Sequence, residues 1–436
     1  MHPPPKGGRS VGSQTLGEKI RDLRRRLKMT QSDLAGTEFT KSFISQVEKG
    51  QTSPSLRSLQ IIAARLNQPV SYFLDEPDPM TPQSQELLSA IETANHLHAS
   101  GFLSDAIPAY QRALSLAAPT DHVTKGNLSF RLGHIYLKLL QYEKAIDAFR
   151  SAAEEYQKTT IDEFYVRTLN NLGTAHYYLR QYHEARRWFE EALSHLDRLA
   201  VPNAQLRLLI FTNLGNVLSK LSLYDEAIEV VEKALALSKS EGDYYKYGEL
   251  CQIAGVVYDA IGDDEEALRH TERAVSFYEA VGNRALRLAS SINKAIHLRK
   301  LGRLSEAKQV ALAVIDEARE ADLVQERARA LAELGAVLAL EGDHQGALMR
   351  VKEALRLAPV HPDLPEWTAL VAACAKHTAL PPDLLQRLDK LAERWEGDAR
   401  GKAELHSSLG ELHRLAGSTE KANEHLSKSV EYFRKV

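Results

Sequence analysis

By the spacing of its apolar positions, the chain divides into a short head and a long periodic remainder. In the head, Leu16, Ile20, Leu23 and Leu27 recur at steps of four, three and four, which is one face of an amphipathic helix. Thr30, with Asp33 three residues on, forms an approximate capping box and predicts a short helix from Gln31 to Ala35. Thr40 caps the next helix, Lys41 to Lys49, in which Ile44 and Val47 point inward while Lys41, Ser42, Ser45 and Gln46 share the outward side. Ser53-Pro54 then opens a fourth helix carrying Leu56, Leu59, Ile62, Ala63 and Leu66, and Val70 to Leu74 predicts a fifth.

The remainder repeats. A small residue is followed twelve positions later by alanine at Ala94/Ala106, Gly133/Ala145, Gly173/Ala185, Gly215/Ala227, Gly255/Ala267, Ala295/Ala307, Gly335/Ala347 and Gly410/Ala422. The first seven copies are stepped by 39 to 42 residues, and the gap of 75 before the last leaves room for one degenerate copy around Trp367 to Trp395, making nine. A large residue stands three after most first anchors (Leu97, Tyr136, Leu218, Tyr258), and another often stands four after the second (Tyr110, Phe149, Phe189, Val231, Val351). Small residues let two helices approach closely and large ones fill the gap to the next pair. Gly262-Asp263, Gly302-Arg303 and Gly342-Asp343 predict the turns within pairs.

Composition narrows the function classes. The net charge of −3 conceals an asymmetry: residues 1–70 hold twelve Lys/Arg against five Asp/Glu, a surplus of seven, which leaves −10 for the rest. The basic end is where nucleic acid is expected, and Arg25, in the run Arg24 to Arg26, is a candidate phosphate contact. Cys251 and Cys374 are far apart, without metal or redox spacing, and the histidines are dispersed, so no metal site is expected. P-loop, Rossmann, nucleophile-elbow and HExxH patterns are absent; no catalytic residue, enzyme activity or cofactor is expected. Without a signal-peptide core or a membrane-length apolar run, the expected compartment is the cytoplasm, with no membrane partner. Residues 1–15 read as a flexible arm, 16–75 as the head, 76–84, with Pro77, Pro79 and Pro82, as a linker, and 85–436 as the repeat domain.

A polar outer face on a short second helix, with an apolar back held by a supporting helix, is the arrangement of a helix-turn-helix that reads base edges in double-stranded DNA. The stretch from Leu16 to Asp75, through TQSDLA, IxxVEKG and PSLRSLQIIAARL, resembles the phage-repressor/Cro (XRE-type) domain, although Glu38-Phe39 stands where the turn usually has glycine. The resemblance implies a five-helix domain in which Gln31 bonds a phosphate, Lys41, Ser42 and Gln46 face bases with Thr40 and Ser45 beside them, and Arg24 and Glu48 form a buried ion pair. The repeats resemble tetratricopeptide repeats with a period nearer forty than thirty-four, implying an all-α chain whose second part is a right-handed α-solenoid with the first helix of each pair lining the concave wall.

On those first helices one polar feature recurs: Asn171, Asn213 and Asn293 each lie two residues before the small anchor. Asn127, Asn170 and Asn216 are close by, and Arg131, Arg167, Lys220 and Arg299 add positive charge. An asparagine amide can pair with both N–H and C=O of an extended peptide and an arginine or lysine can take its carboxylate; equally, these amides can bond neighbouring helices or water. As a whole the chain resembles the peptide-sensing RRNPP regulators. That resemblance implies a homodimeric transcription regulator binding a short signalling peptide. Two alternatives stand beside it: a protein that inhibits or dephosphorylates a phosphorelay response regulator through its repeats, and a peptide-independent regulator whose repeats serve only to oligomerise.

Overall fold

The computed structural model describes residues 16–36, 38–50, 52, 54, 56–66, 68, 70–73, 82–159, 163–199, 203–358 and 361–435. The expected arm, the cap at Ser53, the end of the fifth helix at Leu74 and most of the linker lie outside them. Among the described residues all regular structure is helical. The chain divides into two compact units, residues 1–118 and 119–436, so that the first helix pair of the repeats falls in the same unit as the head.

The head contains α1 (Leu16–Arg26), α2 (Gln31–Ala35), α3 (Lys41–Glu48), α4 (Leu56–Arg65) and, in place of a fifth α-helix, a 3₁₀ turn at Val70–Tyr72. Ile20, Leu34, Ile44, Val47, Ile62, Leu66 and Phe73 form its core. The capping box at α2 is complete: Asp33 N donates to Thr30 Oγ1 at 3.1 Å and Thr30 N to Asp33 Oδ2 at 2.7 Å. Positive φ in the following turn falls at Gly36, three residues before Phe39. Arg65 of α4 closes that turn, donating to the carbonyls of Leu34 at 2.9 Å and Ala35 at 2.5 Å and pairing with Glu38. Phe39 stacks on Phe43 with ring centroids 5.1 Å apart.

The same unit ends with α5 (Pro82–Ala99) and α6 (Leu103–Leu116). The second unit holds eight further pairs among the described residues: α7 (His122–Lys138) with α8 (Tyr142–Gln157), α9 (Glu163–Tyr178) with α10 (Tyr182–Leu196), α11 (Ala204–Lys220) with α12 (Tyr224–Glu241), α13 (Tyr247–Ala260) with α14 (Asp264–Ala280), α15 (Arg284–Lys300) with α16 (Leu304–Glu320), α17 (Val324–Leu340) with α18 (His344–Leu357), α19 (Leu364–Ala375) with α20 (Pro382–Ala392), and α21 (Ala399–Leu415) with α22 (Thr419–Phe433).

The anchors pack as their sizes require. A Cβ added at Gly133 would stand 2.5 Å from the Phe149 ring, at Gly173 2.6 Å from Phe189, and at Gly410 2.7 Å from Leu426. In each case the opposing residue lies sixteen positions on, so the spacing of one small and one large residue fixes the closeness of a pair. Each first helix ends in a Schellman-type turn in which the residue seven after the anchor has positive φ: Leu140, Arg180, Ser222, Gly262, Gly302, Gly342 and Gly417. In each, the next N–H bonds back to the carbonyl of the residue three after the anchor, as Gln141 N does to Tyr136 O at 2.9 Å. The pair α19/α20 departs from this scheme: α19 packs chiefly on α21, and Trp395, just beyond α20, donates its Nε1–H to His361 O at 2.8 Å.

Candidate DNA-reading helix and repeat groove

On α3, Lys41, Ser42 and Gln46 are exposed, as is Lys49 just beyond its end, and Ser45 is half-buried, while Ile44, Val47 and Glu48 are buried. Thr40 caps this helix, accepting from Phe43 N at 3.1 Å. The helix is locked from behind by a buried ion pair: Arg24 Nε donates to Glu48 Oε1 at 2.5 Å and Nη2 to Oε2 at 2.9 Å, and Nη1 also reaches Met29 O at 2.8 Å. Burial would raise the Glu48 carboxyl, but bonds from Arg24 and Gln31 overcome it and hold it below its ordinary range. Gln31 is therefore part of this lock: its Nε2 donates to Glu48 Oε2 at 2.9 Å, so the side chain expected at a phosphate is pinned to α3. Arg25 and Arg26 are exposed at the end of α1. The bidentate lock fixes the angle of α3 and leaves a face of short and long hydrogen-bonding side chains open to solvent.

In the second unit first helices of neighbouring pairs also pack on each other, α9 on α11 and α11 on α13, and again α15 on α17 and α17 on α19, making two stretches of wall. The structure places the expected peptide contacts on the first helices of their pairs and gives most of them partners within the protein. Asn127 accepts from Tyr156 Oη at 2.7 Å, Asn171 Nδ2 lies 3.0 Å from His134 Nε2, and Asn213 Nδ2 donates to Asn170 Oδ1 at 2.9 Å. Arg167 pairs with Glu163 at 2.5 Å. Farther along, Asn293 Oδ1 accepts from Arg329 Nη2 at 3.3 Å, and Arg299 forms a two-pronged pair with Glu333 at 2.6 and 3.2 Å. Arg131 and Lys220 are exposed and Asn216 is half-buried, with no side-chain partner among the described residues. The set is thus not one cluster: three asparagine contacts tie first helices to one another, and only Arg299 lines a groove among them.

That groove, about 670 Å³, lies along α13, α15, α17 and α19. Its floor is apolar, from Ile292, Ile296, Trp367 and Leu370; Arg299, Lys300 and Arg329 supply positive charge, and Asp259, Glu333, Asp363 and Glu366 negative charge. Arg329 Nε reaches Asp363 Oδ2 at 3.3 Å and Lys300 reaches Asp259 Oδ1 at 2.5 Å. Burial pushes the Glu333 carboxyl up, against the pull of Arg299, whereas Asp259 is held at about 2, chiefly by its bond from His297. A groove of this size with an apolar floor and both signs of charge matches a short peptide better than a purely basic wall would. Sequence reasoning missed Glu333 and Arg329, although Glu333 sits two residues before Gly335, the register position held by Asn171, Asn213 and Asn293. The signal was the position, and the asparagine was incidental to it.

The last two pairs also gather Asp389, His413 and His425, which the sequence had left dispersed. No helix among the described residues is long and apolar enough to cross a membrane.

Residues 20–73 match the helix-turn-helix family model, and 127–198, 164–240 and 205–280 match the tetratricopeptide repeat model. The chain is 25% identical over 161 residues to the protein kinesin light chain-related 2 of Arabidopsis thaliana, a match covering 36% of this chain and 24% of that protein. Its fold is similar to RapI in its apo form, with a TM-score of 0.51 and 14% identity over 71% of this chain and 98% of that one. It is also similar to Bacillus thuringiensis PlcR in complex with the peptide PapR7 and DNA, with a TM-score of 0.42 and 19% identity over 64% and 99% of the two chains.

Proposed function

We propose that this chain, a helix-turn-helix head joined to tetratricopeptide repeats, is a sequence-specific DNA-binding transcription regulator whose repeat groove binds a short signalling peptide. The observation that carries the first half is the face of α3, where Lys41, Ser42 and Gln46 stand exposed over a back fixed by Arg24 and Glu48. Gln46, Ser42 and Lys41 read base edges, with Ser45 and the capped Thr40 at the margin, while Arg25 holds a phosphate. A homodimer would set two such helices on two half-sites. This reading is that of the RRNPP regulators, and in repeat number and length the chain resembles their neutral protease regulator.

The groove on α13 to α19 supports the second half. Peptide bound there bridges four first helices, and by preferring one spacing of them it biases the arrangement of the heads. The test is binding of the full chain to labelled DNA from its own upstream region, across a salt series, with and without a peptide fraction from spent culture medium. Gln46→Ala is expected to lose discrimination at particular base pairs, about 1–3 kcal/mol each, whereas Arg25→Ala weakens all duplexes alike and flattens the salt slope. Uniform weakening by Gln46→Ala refutes the reading helix. Ala336→Trp, which fills the groove, should abolish the response to peptide while leaving DNA binding intact; a retained response refutes the groove.

A further inference from the structure

Away from the groove, three helices converge on one spot near the end of the chain. Asp389 of α20, His413 of α21 and His425 of α22 each offer one ligating atom, all within 4.8 Å of one another. His413 Nε2 lies 2.9 Å and His425 Nε2 3.6 Å from Asp389 Oδ1. Around a four-coordinate ion with ligands at 2.0–2.1 Å, ligand atoms stand roughly 3.3 Å apart, so small side-chain adjustments close this set. We propose that Asp389, His413 and His425 form a binding site for a divalent transition metal of the zinc class, clamping the last helix pair to α20.

The hydrogen bonding around the cluster supports a cation. Imidazole and carboxylate are the donor set of such ions. His413 is 3% exposed, and of its two ring nitrogens only Nε2, turned to Asp389 Oδ1, has a partner among the described residues. His425 Nδ1 stands 2.9 Å from His406 Nδ1, and one of the two must donate. When His425 donates, its Nε2 turns a lone pair toward Asp389 Oδ1, and a cation between them removes that repulsion. His406 is then a positioning residue, fixing the tautomer of the ligand from behind. Lys421 Nζ reaches the other carboxylate oxygen, Oδ2, at 3.5 Å from a largely exposed side chain, leaving Oδ1 for the ion. A cavity of about 340 Å³ beside the cluster, walled by Trp395, Glu424 and Tyr432, gives access and room for a water as fourth ligand. The site is independent of the reading given for DNA and peptide.

The test is titration of the metal-stripped full chain with Co²⁺, followed by its visible absorption and then by displacement with Zn²⁺. One Co²⁺ per chain with the intense band of a low-coordinate site is expected. Asp389→Asn and His425→Gln should each lower affinity at least about 100-fold, and His406→Gln about 10–100-fold at the same stoichiometry. Because these variants remove contacts among α20, α21 and α22, thermal denaturation of the unaltered chain is read in parallel, and Zn²⁺ should raise its midpoint. Absence of the band together with an unmoved midpoint, or equal Co²⁺ affinity in folded Asp389→Asn and His425→Gln, overturns the site.

Discussion

The pairs from α7 to α12 and those from α13 to α18 share one register but fill it differently. In the first two pairs, glycine anchors face the rings of Phe149 and Phe189; from Gly215 to Gly335, the side chains opposing the glycine anchors are the smaller Val231, Thr271 and Val351. On the first helices the earlier pairs tie asparagines to one another and to histidine, Asn171 with His134 and Asn213 with Asn170, while Arg131 and Lys220 stay exposed. The later pairs set charged groups over an apolar floor and leave a groove between them. Their buried carboxylates differ in the same sense. Burial would raise Glu155 of α8, but bonds from His122, Lys158 and Lys125 overcome it and hold it at about 2, whereas burial pushes Glu333 of α17 up in spite of Arg299. The same register position therefore joins neutral amides in one half and ion-paired groups beside an apolar floor in the other.

The strongest way to break this contrast is Arg299→Ala. It leaves Glu333, 7% exposed, without its two-pronged partner, and removing one member of a buried pair costs about 3–5 kcal/mol. Glu333 can escape by taking up a proton. The loss, read as faster amide exchange in α15 and α17, should therefore be large at pH 8 and smaller near pH 5. Arg299→Met with Glu333→Leu should recover most of it. Equal loss at both pH values would mean that Glu333 is not the strained member.

Glu155→Gln makes the opposite test in the earlier half. A carboxyl held at about 2 when folded, against 4.5 ordinarily, contributes stability that is present above its unfolded value and lost as pH falls through the folded one. The substitution should cost about 1.5–3 kcal/mol at neutral pH and flatten the acid limb between roughly pH 5 and 2. Glu333 has the reverse sign: its raised carboxyl favours the folded state below its unfolded value and loses that contribution as pH rises. If acid melts of Glu155→Gln and the parent run parallel, the difference between the two carboxylates is not energetic.

Asn213→Ala sharpens the comparison of the walls. Asn170 is 3% exposed, and without Asn213 its carbonyl is buried with its bond unmade, at a cost of about 1–2 kcal/mol. Destabilisation of α9 and α11 with the peptide response intact is the outcome expected of a scaffold asparagine. Loss of response at unchanged stability would return it to the ligand surface.

The repeats were legible because a small residue opposing a larger one sixteen positions on is a constraint repeated in register, Gly133 with Phe149 and Gly173 with Phe189. The exposed face of α3 was legible because capping at Thr40 and burial of Ile44 and Val47 leave no other side outward. The groove was not. The asparagines of the earlier pairs carry the same residue type whether they bond a ligand or a neighbouring helix, and the partners that decide it, His134 and Asn170, come from other repeats. The histidine cluster was hidden for a related reason. Its three members lie on three helices, and α20 belongs to the irregular pair that carries no anchors to set its register.

The smallest expected effect is at the turns, where the halves differ again. The residue seven after the anchor is left-handed throughout, but it is Leu140, Arg180 and Ser222 in the earlier pairs and Gly262, Gly302 and Gly342 in the later ones. A side chain at that φ costs roughly 1–2 kcal/mol, and glycine gives part of this back through its freedom in the unfolded chain. Leu140 is 69% exposed, so little packing is lost with its side chain. Leu140→Gly is therefore expected to stabilise α7 and α8 by about 0.5–1 kcal/mol, seen as slower exchange at their ends. Gly302→Leu, the reciprocal change, should destabilise α15 and α16 by a similar amount, since a Cβ there meets nothing within 4 Å and only the backbone opposes it. If both changes are neutral, the left-handed turns carry no strain, and the use of glycine in the later pairs needs a cause other than the backbone.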